Sequence, residues 1–216
     1  MAIARQQATA IGAAALVVLA VLGYWGYGAH QKRALEGRIV ALLAEPAARL
    51  QRVLDGDAGD VEAHAAAAEA SLKALRELDT RANRALGDAA DEYLVTTREI
   101  FRRHADRLRL KRALDESSAE LRRHMRSDNR TGAWVKQAVA TRERVSRDHR
   151  GYQIAAEALE GLLLGLPATQ RKVAPWLDAQ RLVSPERLEA AAARVKADAA
   201  ASAKAFRQLD LLRAAR

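Results

Sequence analysis

Glu120 and His124 stand four residues apart, a spacing that puts two side chains on one face of a helix, where they can share a metal ion. They form the one Glu/His pair so placed. A structural zinc site needs about four ligands, and neither a His-x3-His nor a Glu-x-x-His pattern supplies the others, so an intrahelical contact on a solvated face is the simpler reading. The chain has no cysteine, which excludes disulfides, thiolate metal sites, Fe–S clusters and thiol catalysis together. Nucleophilic catalysis by serine has no support either. There is no G-x-S-x-G elbow, and Ser117, Ser118, Ser127, Ser146 and Ser184 fall on helix faces or at cap positions. The neighbouring carboxylates Asp91-Glu92 and Asp115-Glu116 point to different parts of a helix surface, so they do not form an acid/base pair. Gly161 to Gly165 encloses only leucines and lacks the Lys-Ser or Lys-Thr of a phosphate loop. The sequence points away from an enzyme, and no cofactor or metal is expected.

Charge is the uneven feature. The formal net charge is +9, and from Arg98 to Arg150 there are 16 Lys/Arg against 8 Asp/Glu, a local balance of +8. Arg-Arg-His occurs twice in this stretch, at Arg102-Arg103-His104 and Arg122-Arg123-His124. With Arg126 and Arg130 these residues are the candidate anion- or partner-binding set: Arg102, Arg103, Arg122, Arg123, Arg126 and Arg130. Guanidinium forks suit phosphate and carboxylate. The alternative is a solvated helix face whose arginines pair with the interleaved Glu99, Asp106, Glu116, Glu120 and Glu143. Phe101 and Trp134, with Tyr152 just beyond, are too few to stack bases, which places nucleic acid below an anionic lipid, an acidic polymer or a protein partner.

These residues must be carried by helices. Ala, Leu, Arg and Glu dominate the chain, Gly and Pro are few, and no segment alternates long enough for a strand. From Ala10 to Ala29 no residue is ionisable except tyrosines, and twenty residues make about 30 Å of helix, enough to cross a bilayer. Tyr24, Trp25 and Tyr27 fall where an interfacial belt would sit, and Lys32 and Arg33 close the segment. Cleavage before Ala29 as a signal peptide is the competing reading, but bulky aromatics crowd that site. The expectation is a short tail over 1–8, a transmembrane signal-anchor over 9–29, a membrane-proximal helix over 30–55 and a helical bundle over 60–216. The basic flanks conflict on orientation. The short positive tail favours export of the rest, placing the protein in a bacterial inner membrane with a periplasmic domain.

Beyond the anchor, Leu35, Ile39, Leu42 and Leu43 keep a helical period until Pro46, where a kink or a new start is expected. Asp55 to Asp60 reads as a loop with Asp60 as N-cap, and the stripe that follows runs to Met125 as one long helix, continuous or broken near Gly87. Ser127 to Gly132 is a second loop with Thr131 or Asp128 as a cap. A helix then stops at Pro167, a short piece covers Val173 to Leu182, and Ser184-Pro185 starts the last helix. The fold class is therefore all-α, one N-terminal transmembrane helix followed by an elongated antiparallel bundle or helical hairpin. Single-anchor helical proteins of bacterial envelopes share this layout, including bundle-type sensing modules, so the expected roles are an envelope scaffold or interaction protein, a ligand-sensing bundle, or a cytoplasm-facing binder of polyanions. The expected partners are the membrane through residues 9–29, a protein partner or a homo-oligomer, and an anionic lipid or polymer.

Overall fold

The computed structural model describes the backbone of residues 2–56, 59–126 and 131–214 and the side chains of 28–56, 59–126 and 131–208. Five α-helices follow one another: α1 (Ala2–Leu54), α2 (Val61–Arg76), α3 (Arg84–Arg126), α4 (Gly132–Val173) and α5 (Pro185–Ala214), with 3-10 turns at Thr80–Asn83 and Ala179–Arg181. No strand occurs among the described residues. The all-helical expectation holds, and α4 packs against both α3 and α5 as its stripe demands. The transmembrane segment stands differently. Among the described residues no helix is long and apolar enough to cross a membrane, and the segment 9–29 lies outside the described side chains save for Gly28 and Ala29.

Pro46 does not end its helix. It sits inside α1, and Ile39, Leu43, Ala47 and Leu50, all fully buried, carry one apolar face past it. A mid-helix proline costs about 3 kcal/mol, and burial of these four residues, two on each side, offsets it. Pro167 is passed in the same way by α4, where Leu163, Leu166 and Val173 are buried on both sides of it. The expected stop at Pro167 and the expected helix over 173–182 are thus both corrected: α4 ends at Val173, and a 3-10 turn replaces the short helix.

The long helix over 60–126 is the largest correction. It breaks at 77–83, not at Gly87, and α3 returns antiparallel to α2, as the Arg76–Asp91 ion pair at 2.7 Å shows. Asp79 caps the 3-10 turn by accepting from the Arg81 N–H at 3.1 Å. Asn83 then starts α3: its Oδ1 accepts from the Leu86 N–H at 3.2 Å while its Nδ2 donates to Glu36 of α1 at 2.7 Å. Gly87 serves the turn by closeness. A Cβ there would lie 2.7 Å from the Thr80 Cβ. Gly87→Ala should therefore lower the urea midpoint of the chain, since overpacking costs about 1–3 kcal/mol and a Cβ cannot rotate away. Adding Thr80→Gly should recover much of the loss; a Gly87→Ala variant as stable as the parent would refute the close approach.

The local caps are as expected. Asp60 accepts from the Ala63 N–H, Thr131 from the Trp134 N–H and Ser184 from the Arg187 N–H. One apolar core runs through the bundle from Ile39 on α1 to Ala199 on α5. At the level of Phe101 it is flanked by the end of α1 and the start of α2, whose His64 ring stands 5.6 Å from the Phe101 ring. The segment after α4 is tied down by Gln170, whose amide, oriented by its hydrogen bonds, donates to and accepts from the Val183 backbone at 2.9 Å each. Helices α3 and α4 form the long hairpin that carries the basic stretch, and α5 lies along α4.

Candidate functional site

The hairpin separates the six candidate arginines into two groups. Arg102 and Arg103 lie midway along α3 and are engaged: Arg102 shares Glu69 of α2 with Arg98, each at 3.0 Å, and Arg103 reaches Glu99 on its own helix at 2.8 Å. Twenty residues of helix, about 30 Å, separate them from Arg122, Arg123 and Arg126. Those three lie within the last five residues of α3, Arg123 and Arg126 in its last turn; all are exposed and have no acidic partner among the described residues. Arg130 lies outside the described residues.

The nearest acids are already taken. Glu120 accepts from Arg144 of α4 at 2.8 Å and from Thr141 at 3.4 Å, and its Oε1 is 3.8 Å from the His124 Nε2. The Glu120/His124 pair thus joins an ion-pair network across the hairpin, and no group of three or more metal-ligating side chains occurs among the described residues. Trp134 closes the end, its Nε1 donating to the His124 carbonyl at 3.2 Å. The arginines also lie where backbone carbonyls leave a partial negative charge, since cations are favoured in a helix's last turn by about 0.3–1 kcal/mol. Three guanidinium groups within five residues at the hairpin's end have their forks open to water.

Sequence reasoning did not find a second polar cluster, half-buried where α3, α4 and α5 meet. Arg107 is only 12% exposed and pairs with Asp198 of α5 at 3.1 Å, while its Nε has no partner. Burial first, and the Arg107 charge second, push the His104 imidazole down to about 4, so it is neutral at pH 7. Burial raises the Tyr152 phenol above its ordinary value. Along α4, His149 stacks on Phe206 of α5 with ring centroids 4.4 Å apart, and Gln153 donates to the Ala199 carbonyl at 2.9 Å. The cluster fastens α5 to the hairpin.

Further down the core, burial raises the Tyr93 phenol to about 12, and neither its hydroxyl nor that of Thr97 makes a well-formed hydrogen bond. A shallow, open trough of about 420 Å³ lies between α1 and the second 3-10 turn, lined by Ala44, Glu45, Ala48, Gln51, Gln180 and Arg181. It gathers no convergent charge.

Set against family models, curated proteins and solved structures, the chain matches none. Its function is therefore read from its own geometry.

Proposed function

We propose that this chain is a helical interaction protein of a bacterial envelope, held at a membrane by its apolar segment 9–29, which presents the arginine end of the α3–α4 hairpin to a polyanion. The observation that carries the reading is the unequal treatment of the basic stretch. Arg98, Arg102, Arg103, Arg107, Arg109 and Lys111 are engaged in ion pairs; among the described cations of the stretch without one, Arg122, Arg123 and Arg126 gather within five residues at the hairpin's end, apart from Arg112, Lys136, Arg147 and Arg150. Guanidinium groups gathered within five residues of one helix can bind anionic oxygens bidentately. The apolar length and aromatic flank of 9–29 support the anchor, and the short basic tail before it supports export of the bundle.

Attraction between exposed charges and an anion is screened over about 8 Å at physiological ionic strength. Binding of the chain to vesicles carrying an anionic lipid, or to an acidic polysaccharide, should weaken steeply between low and high salt. Changing Arg122, Arg123, Arg126 and Arg130 to Gln should abolish it with the far-UV circular dichroism unchanged. Changing Arg102 and Arg103 to Gln should leave it largely intact, because both already contact carboxylates and lie about 30 Å from the hairpin's end. A quadruple variant that binds as well as the parent would sink the reading.

A further inference from the structure

All four of the large apolar side chains that stand exposed among the described residues, Val135, Val139, Ile154 and Leu164, belong to one helix, α4. Helix α3 and helix α5 cover its other sides. Steps of three and four residues place Val139 and Ile154, exposed by 53% and 59%, on the uncovered side together with Lys136, Glu143, Arg150 and Glu157. All four of these charged groups are exposed and have no ion-pair partner among the described residues, although most charges elsewhere in the bundle are paired.

The geometry points to a second copy of this chain as the occupant of this face, docked through α4 in antiparallel register. A two-fold axis passing between residues 146 and 147 sets Val139 against Ile154 of the second copy and Val135 against its Ala158. The same axis, with no further adjustment, sets Glu143 against Arg150 and Lys136 against Glu157. Two apolar and two oppositely charged contacts result, each repeated by symmetry. A parallel, in-register pair would instead oppose Glu143 to Glu143 and Arg150 to Arg150, and like charges facing one another are repelled. The charge order along the helix thus selects both the partner and the direction. Leu164 lies beyond this overlap and takes no part. A two-fold axis across α4 places the two N-terminal ends at opposite ends of the pair, so copies held in one membrane pair this way only if α1, one helix from Ala2 to Leu54 here, bends between the membrane and the bundle.

This contact is independent of the arginine end, and the absence of cysteine makes it directly testable in the full chain. Single variants Val139→Cys and Ile154→Cys, purified in detergent and oxidised, should give little dimer alone and a cross-linked dimer when mixed. Ser146→Cys, beside the axis, should cross-link with itself. Light scattering should show a dimer for the parent, a monomer for Glu143→Arg, with the dimer weakened about tenfold or more, and a dimer again for Glu143→Arg with Arg150→Glu. Cross-linking of either Val139→Cys or Ile154→Cys alone would mean a parallel pair and overturn the proposal. A monomeric parent with no cross-link in the mixture would overturn it as well. Gln at Arg122, Arg123 and Arg126 should leave the dimer unchanged, so failure here and failure of polyanion binding are read separately.

Discussion

Replacing Phe101 by alanine should cost about 3–5 kcal/mol, the range for truncating a fully buried aromatic ring, and should visibly lower both the urea midpoint and the melting temperature of the chain. The ring is wholly buried on α3, facing the start of α2. Its contact with His64 is backed by Arg49 of α1, whose Nη1 lies 3.2 Å from the His64 Nδ1. Truncation therefore removes a ring on which α2 rests through His64, and the nearby Arg98–Glu69 link between α2 and α3 limits collapse into the void. Phe101→Leu keeps most of the volume and should cost far less. As a contrast, Ile154→Ala on the uncovered side of α4 should change monomer stability by no more than about 0.5 kcal/mol. If Phe101→Ala and Ile154→Ala prove equally mild, the core does not converge at that level.

The fold was legible wherever a single local rule decided it. Asp60, Thr131 and Ser184-Pro185 announce their helices because capping depends on residues within one turn. The apolar stripes are equally plain: Leu72, Leu75, Leu86, Ile100 and Leu121, which the helical period picks out, are buried, although Ala82 on the same stripe is exposed and the buried Leu94 and Phe101 lie off it. The break at 77–83 was hidden by coincidence. Leu75 and Leu86 are eleven residues apart, close to three turns, so the stripe keeps its phase across a chain reversal that Asp79 and Asn83 in fact cap. Pro46 and Pro167 misled in the opposite sense, because burial on both sides outweighs a local cost that the sequence shows in isolation.

The candidate site was legible as composition and not as geometry. A run of arginines does not reveal which of them meet an acid, since Arg102 finds Glu69 on another helix and Arg107 finds Asp198, 91 positions away. Nor does it reveal burial. Arg107 looks like any member of the basic stretch, yet its side chain, like that of Arg98, is largely covered, and it lies beside the buried His104 imidazole. The uncovered side of α4 was invisible for a related reason: Val139 and Ile154 stand among charges, so no apolar stripe announces them until α3 and α5 have claimed the other sides of the helix.

Acid should destabilise this protein well above the range where exposed carboxylates titrate. His104 is held neutral in the folded chain, its pKa lowered from 6.5 to about 4 first by burial and then by the nearby Arg107 charge. In the unfolded chain it takes up a proton near pH 6.5. Between pH 6.5 and 4 the unfolded state therefore binds more protons than the folded one, and stability falls as the pH falls through that window. The two pKa values lie about 2.5 units apart, and at 1.36 kcal/mol per unit this amounts to about 3 kcal/mol lost by pH 4. Above pH 6.5 the group is neutral in both states and contributes no slope. Burial lowers His149 too, so it adds to the same window in the same direction. Asp79, held down to about 2 by the Arg81 guanidinium and N–H, acts only at lower pH, where its carboxylate is protonated in the unfolded chain first. Urea midpoints measured from pH 7.5 to 4 should therefore slope downward for the parent and be much flatter for His104→Leu, which cannot take up a proton. At pH 7.5 the two proteins should be of similar stability, and near pH 4 the variant should be the more stable. Parallel slopes for parent and variant would show that His104 is not the group whose burial sets the acid limit of the fold.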